Sequence, residues 1–115
     1  MPIPPLIKEL AEQKLKKYCD ERIPVHVRDK LRLSYGFRGN TVTLFEERAP
    51  WRAEMTEWTS HSVAQMRFDQ KTNKWTLYCA DRNGKWHKYE GLSPTGDIAL
   101  ILKEIDRDPT GIFWG

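Results

Sequence analysis

Basic and aromatic side chains alternate along Lys85-Trp86-His87-Lys88-Tyr89, just after Arg82. Cations neutralise phosphate and flat rings stack on bases, at roughly 1–3 kcal/mol per base, so this run has the composition of a single-strand nucleic-acid platform. The same residue types also fill small cores, with Trp86 or Tyr89 turned inward and the lysines solvated. The loop after Asp81 decides between the two. A three-residue loop with a bulge at Gly84 places His87 and Tyr89 with Trp75, Leu77 and Cys79, whereas a two- or four-residue loop places Trp86 there. The RNA-recognition consensus is absent.

Glu46, Glu47, Arg48, Trp51 and Arg52 form a second group. Arg48 and Arg52 have the fork geometry to clamp a phosphate or carboxylate. Glu46 and Glu47 are adjacent on an expected strand and so face opposite ways, which excludes a close carboxylate dyad. The simpler reading is an ion-pair network holding a long loop.

His26, His61, His87, Cys19 and Cys79 are the remaining reactive groups. Their spacing matches no zinc or metalloprotease motif, and no Gly-rich phosphate loop is present. Neither a metal, a cofactor nor a catalytic residue is assigned. Cys79 alternates with Leu77 and Trp75 and reads as a small core residue.

These groups need elements to position them. Pro4 and Pro5 suit a first helical turn, and Ile7, Leu10, Ala11, Leu15 and Tyr18 recur near helical spacing with Lys8, Glu12, Lys14, Lys16 and Lys17 mostly on the other face, which predicts a helix from about Pro5 to Cys19. Val25 to Leu31 is read as a short helical turn. Leu33, Tyr35 and Phe37 alternate with polar residues, Gly39-Asn40 is a hairpin turn, and Val42 and Leu44 follow. A two-residue loop puts Phe37 opposite Val42 and Tyr35 opposite Leu44 on one face. Ala49 to Ser60 connects to a third strand with Ala64, Met66 and Phe68 on one face and Gln65 and Arg67 on the other. Trp75, Leu77 and Cys79 mark a fourth strand and Lys85 to Glu90 a fifth, with Gly84 in the turn between them. Asp97 caps a last helix with Ile98, Ile101, Leu102 and Ile105 as its buried stripe, and Asp108-Pro109 stops it. The tail, Gly111-Ile112-Phe113-Trp114-Gly115, is too apolar to be left in water. The expected fold is α+β: an antiparallel meander of about five strands with an N-terminal and a C-terminal helix on one face.

The chain has 115 residues, which fits one domain spanning 1–115. Five tryptophans, four tyrosines and four phenylalanines argue against disorder. The net charge of +3 is too small to imply nucleic acid by itself. It is concentrated in residues 8–32, with eight basic against five acidic residues, and in 71–90, with five against two. The N-terminus lacks the charged and apolar regions of a signal peptide, and no run is long enough to span a membrane. Two cysteines without secretion imply free thiols in a reducing cytoplasm; a Cys19–Cys79 bridge is the alternative.

Four blocks carry a likeness to a known family. RDKLRLSY (28–35), VTLFEERAPW (42–51), DRNGKWHKY (81–89) and EIDRDPTGIFWG (104–115) resemble, in this order, the bacterial domain-of-unknown-function family 3024. The resemblance runs from about residue 3 to the C-terminus. It implies a short, stand-alone bacterial protein and no particular activity.

Three classes of function follow. A non-catalytic binding module for nucleic acid or a nucleotide is favoured, through Arg48, Trp51, Arg52, Arg82, Lys85, Trp86, His87 and Lys88. A protein-interaction module, including a homodimer, draws on exposed aromatics and a sheet edge. A small enzyme would need a concave pocket holding Glu47, Arg48, His61 or His87.

Overall fold

In the computed structural model, residues 3–114 are described. Met1 and Pro2 of the N-terminal segment and Gly115 of the tail lie outside them. The element order is α1 (Pro5–Arg22), a 3-10 turn (Val25–Val27), β1 (Leu31–Arg38), β2 (Thr41–Arg48), β3 (Thr59–Asp69), β4 (Lys74–Ala80), β5 (Trp86–Lys88) and α2 (Ile98–Arg107). The strands form one antiparallel sheet in the order β1-β2-β3-β4-β5, with both helices on one face. This is the α+β meander that the alternation predicts.

Side-chain alternation sets the register. Phe37 pairs with Val42 and Tyr35 with Leu44, as a two-residue Gly39-Asn40 turn requires. Met66 and Leu77 continue the first row across β3 and β4, and Ala64 continues the second. Val42, Leu44, Ala64 and Met66 retain no exposed surface. On β3 the pairing shifts between Leu44 and Phe45, whose partners are Ala64 and Ser62. Val63 is therefore an extra residue, a bulge that buries two successive side chains and turns His61 toward the helix side.

α1 buries Ala11, Leu15 and Cys19 and runs three residues further than the spacing suggests, to Arg22. Leu10 does not join the core: it is 49% exposed, and Leu6 one turn earlier is 66% exposed. The short α2 reaches only part of the neighbouring face of α1, which leaves those leucines in water. The helical turn after Pro24 is confined to Val25–Val27, because β1 begins at Leu31. β3 starts at Thr59, earlier than its apolar pattern, since its first residues are polar and are held by pairing with β2. β5 is shorter than the sequence suggests, and Tyr89 beyond it still bonds Leu77 through its amide.

α2 follows its stripe. Asp97 caps it by accepting from the Ala99 amide at 3.0 Å, and Ile98, Ile101, Leu102 and Ile105 are buried. Asp108 ends it in the left-handed conformation, φ 42°. Its carboxylate accepts from the amides of Phe113 (3.0 Å) and Trp114 (2.9 Å), folding the tail back, and Trp114 Nε1 donates to the Ile105 carbonyl at 2.9 Å. Phe113 is buried against the Tyr89 ring. The Tyr89 hydroxyl donates to the buried Glu104 carboxylate at 2.7 Å, which satisfies both groups. A side chain at Gly91 would meet the Tyr89 ring at 2.6 Å, so any larger residue there requires the buried ring to shift.

Candidate functional site

The face without helices is built from the alternate residues of the same strands. One row crosses all five strands in register: Gly36, Thr43, Gln65, Tyr78 and Lys88. Arg67, two residues from Gln65, lays its guanidinium 3.8 Å from the centre of the Tyr78 ring. Its Nε donates to Gln65 Oε1 at 2.7 Å, and Gln65 Nε2 donates to Thr43 Oγ1 at 3.2 Å. The chain of hydrogen bonds holds the guanidinium against the ring. Trp86, paired with Ala80, shares this face and stays partly exposed. Arg32, Arg38, Lys74 and Lys88 lie on the same side, against Glu47 and Asp69. A depression of about 430 Å³ opens beside the stack, between Asn40, Arg67, Asp69, Lys71 and Tyr78.

The β4–β5 turn explains which aromatic faces where. The Asp81 amide donates to the Lys85 carbonyl at 2.8 Å and the Gly84 amide to the Asp81 carbonyl at 3.0 Å, with Gly84 at φ +80°. This is the three-residue loop with a glycine bulge, so Cys79 pairs with His87 and Tyr89 is buried, while Trp86 and Lys88 turn to the open face. Asp81 Oδ1 also accepts from the amides of Asn83 and Lys85. His87 Nε2 lies 2.7 Å from Asp81 Oδ2. The hydrogen bond from His87, followed by those backbone amides, holds the Asp81 carboxyl below the usual aspartate range. His87 thus braces the turn from the helix side, and Arg82 and Lys85 project from it into solvent.

Of the sequence candidates, Trp86 and Lys88 share the open face, Arg82 and Lys85 are exposed on the adjoining turn, and His87 is turned to the other face. Arg48, Trp51 and Arg52 belong to the β2–β3 arm, which runs past the end of β4. Arg48 lies on the helix side and pairs with Glu46 at 2.9 Å. Glu47 lies on the open face and pairs with Arg32 at 3.0 Å, so the two glutamates point apart as expected. Arg32 in turn stacks 4.1 Å from Trp58. Trp51 is 71% exposed, with Arg52 stacked on it at 4.1 Å. Arg67, Phe45 and the Arg32–Trp58 stack were not among the candidates. Arg67 carried a readable signal, since it alternates with the core residues Met66 and Phe68.

Other chemistry finds little support. Glu46, Arg48 and His61 line a cavity of about 250 Å³ under Phe113 and Trp114, where Glu46 is already engaged by Arg48. Burial, reinforced by Asp20, pushes the Cys19 thiol up to about 12, and burial also raises Cys79. Both thiols are free and stay protonated at neutral pH, which makes them poor nucleophiles. Among the described residues no group of three His, Cys, Asp or Glu side chains is placed to hold a metal ion. No described helix is long and apolar enough to cross a membrane.

Comparison with known proteins returns one family, a domain of unknown function, DUF3024, whose profile matches residues 3–115. No curated protein and no solved structure matches the chain. The matched span begins before α1 and ends after the folded-back tail, so one family's pattern covers both helices and all five strands: the chain belongs to the DUF3024 family.

Proposed function

We propose that this protein is a non-catalytic, single-domain binding module for single-stranded nucleic acid, which it holds on the helix-free face of the sheet. The observation that carries this reading is the Arg67–Tyr78 stack, in one cross-strand row with Lys88 and beside Trp86. Bases stack on Tyr78 and Trp86 and on the Arg67 plane, while Lys88 on that face and the exposed Arg82 and Lys85 of the adjoining turn meet phosphates. Recognition by stacking is tolerant of sequence. A bacterial cytoplasm is the setting that suits two free thiols and this ligand.

A fluorescence-anisotropy titration against mixed single-stranded RNA and DNA tests the reading. Micromolar binding is expected, falling steeply with salt. Lys88→Ala reduces the slope of log affinity against log salt by about 1. Absence of binding at the lowest salt overturns it.

A protein-interaction module is the second reading, and it has its own observation. Trp51 stands 71% exposed on the β2–β3 connection, and β1 is an eight-residue strand at the sheet edge. A mass that rises with protein concentration and is unaffected by salt would favour a homodimer.

A further inference from the structure

We propose that the groove between α1 and α2 is a second docking site, which receives an acidic amphipathic helix of a partner protein. The groove encloses about 780 Å³ and opens on the side of the molecule away from the helix-free sheet face. Its apolar wall is Leu10, with Ala99 and Leu102 facing it from α2. Leu10 is 49% exposed, and Leu6, one turn earlier on the same face of α1, is 66% exposed. The short α2 leaves these two successive leucines uncovered, and together they give the rim of the groove an apolar stripe open to a partner.

Charge selects the occupant. Lys14, Lys17 and Lys103 line the groove, and none of them forms an ion pair among the described residues. The carboxylate on α2 is committed within the protein, because Asp106 accepts from Tyr18 at 3.2 Å and pairs with Arg22 at 3.0 Å. Glu21 is the one other carboxylate lining the groove, so the three lysines outnumber it, and an Asp- or Glu-bearing ligand supplies the balance. A second copy would bring the same net positive lining, three lysines against Glu21, to this rim. A uniformly anionic membrane would meet Glu21 and Asp106 at the other end of the groove.

Backbone chemistry selects a helix. Both walls are helices whose backbone groups are bonded internally, so an extended peptide would find no ladder and would leave its own amides unpaired. A helix satisfies its own. The wall from Leu10 to Glu21 is about 16 Å long at 1.5 Å per residue, which matches about three turns of a ligand helix.

The test uses two fluorescent peptides of about 14 residues, with leucines at i, i+3, i+4 and i+7 and flanks of either glutamate or lysine. The glutamate peptide is expected to bind the whole protein at least roughly tenfold more tightly than its lysine twin. Reversing Lys14, Lys17 and Lys103 to glutamate is expected to invert that preference, with the thermal transition unchanged because all three side chains are on the surface. Leu10→Asn is expected to weaken the glutamate peptide roughly fivefold or more. Amide shifts on titration should map to α1 and α2. Equal affinity for the two peptides, no binding at roughly 0.5 mM, shifts confined to the sheet, or tighter binding to phosphatidylglycerol vesicles than to the glutamate peptide would each overturn the proposal.

Discussion

On the helix side of the central strands, Val42, Leu44, Ala64 and Met66 have no exposed surface. One residue along, Thr43, Gln65, Arg67 and Tyr78 keep part of theirs and bond to one another. The two faces share a backbone and a register, yet they depend on different physics. The inner face is held by removal of apolar area from water, at roughly 25 cal/mol per Å². The outer face is held by contacts among solvated groups, which are individually weak but point donors and rings outward. Folding and binding should therefore separate cleanly by the parity of a residue along its strand.

The sharpest way to break this contrast is a neighbouring pair on β2. Leu44→Ala is expected to lower stability by about 3 kcal/mol in denaturant unfolding, because it opens a cavity in a close-packed layer. Thr43→Ala should change it by less than about 1 kcal/mol, since only the Gln65 hydrogen bond is lost. Comparable losses at both positions would mean that the open face is structural after all.

The converse experiment measures binding. Tyr78→Ala and Trp86→Ala are each expected to cost about 1–3 kcal/mol of affinity for single-stranded nucleic acid, while the unfolding midpoint moves little. Affinity unchanged in both variants would remove the open face as a site.

A smaller effect is expected where the tail closes the helix side. Asp108→Ala removes two amide acceptors and leaves alanine in a left-handed conformation, so a stability loss of about 1–2 kcal/mol is expected in thermal unfolding. Trp114 fluorescence should shift to the red as the tail loosens.

The smallest effect concerns pH. Asp81 is held below the usual aspartate range, first by His87 and then by the turn amides, so the folded state favours its ionised form. That contribution is fully present above the unfolded value of about 3.9 and is lost as pH falls through the folded value. The melting temperatures of the wild type and Asp81→Asn should therefore differ most above about pH 4 and converge below it. A constant difference across that range would show that His87 and the amides do not depend on the charge of Asp81.

Much of this was legible in the residues. The Gly39-Asn40 turn and the alternation around it determined the β1–β2 register, and that same register already places Arg32 opposite Glu47. The α2 cap, its stripe and its stop at Asp108 follow from local chemistry within one or two turns. The β4–β5 hairpin was less determined. Asp81 to Gly84 permits several loop lengths, and a shift of one residue exchanges Trp86 for His87 on the buried face.

Composition, strand periodicity and turn chemistry thus determined the fold class, the strand order and one hairpin register, because those signals act between residues close in sequence. The tertiary structure decided the rest. The length of β3 depends on its pairing with β2, and the position of the Val63 bulge on matching that ladder. The Arg67–Tyr78 stack needs two strands in one register, and the exposure of Leu6 and Leu10 reflects how much of α1 a ten-residue α2 can cover. Each of these is a contact between segments distant in the chain, where local preference is silent and packing geometry chooses.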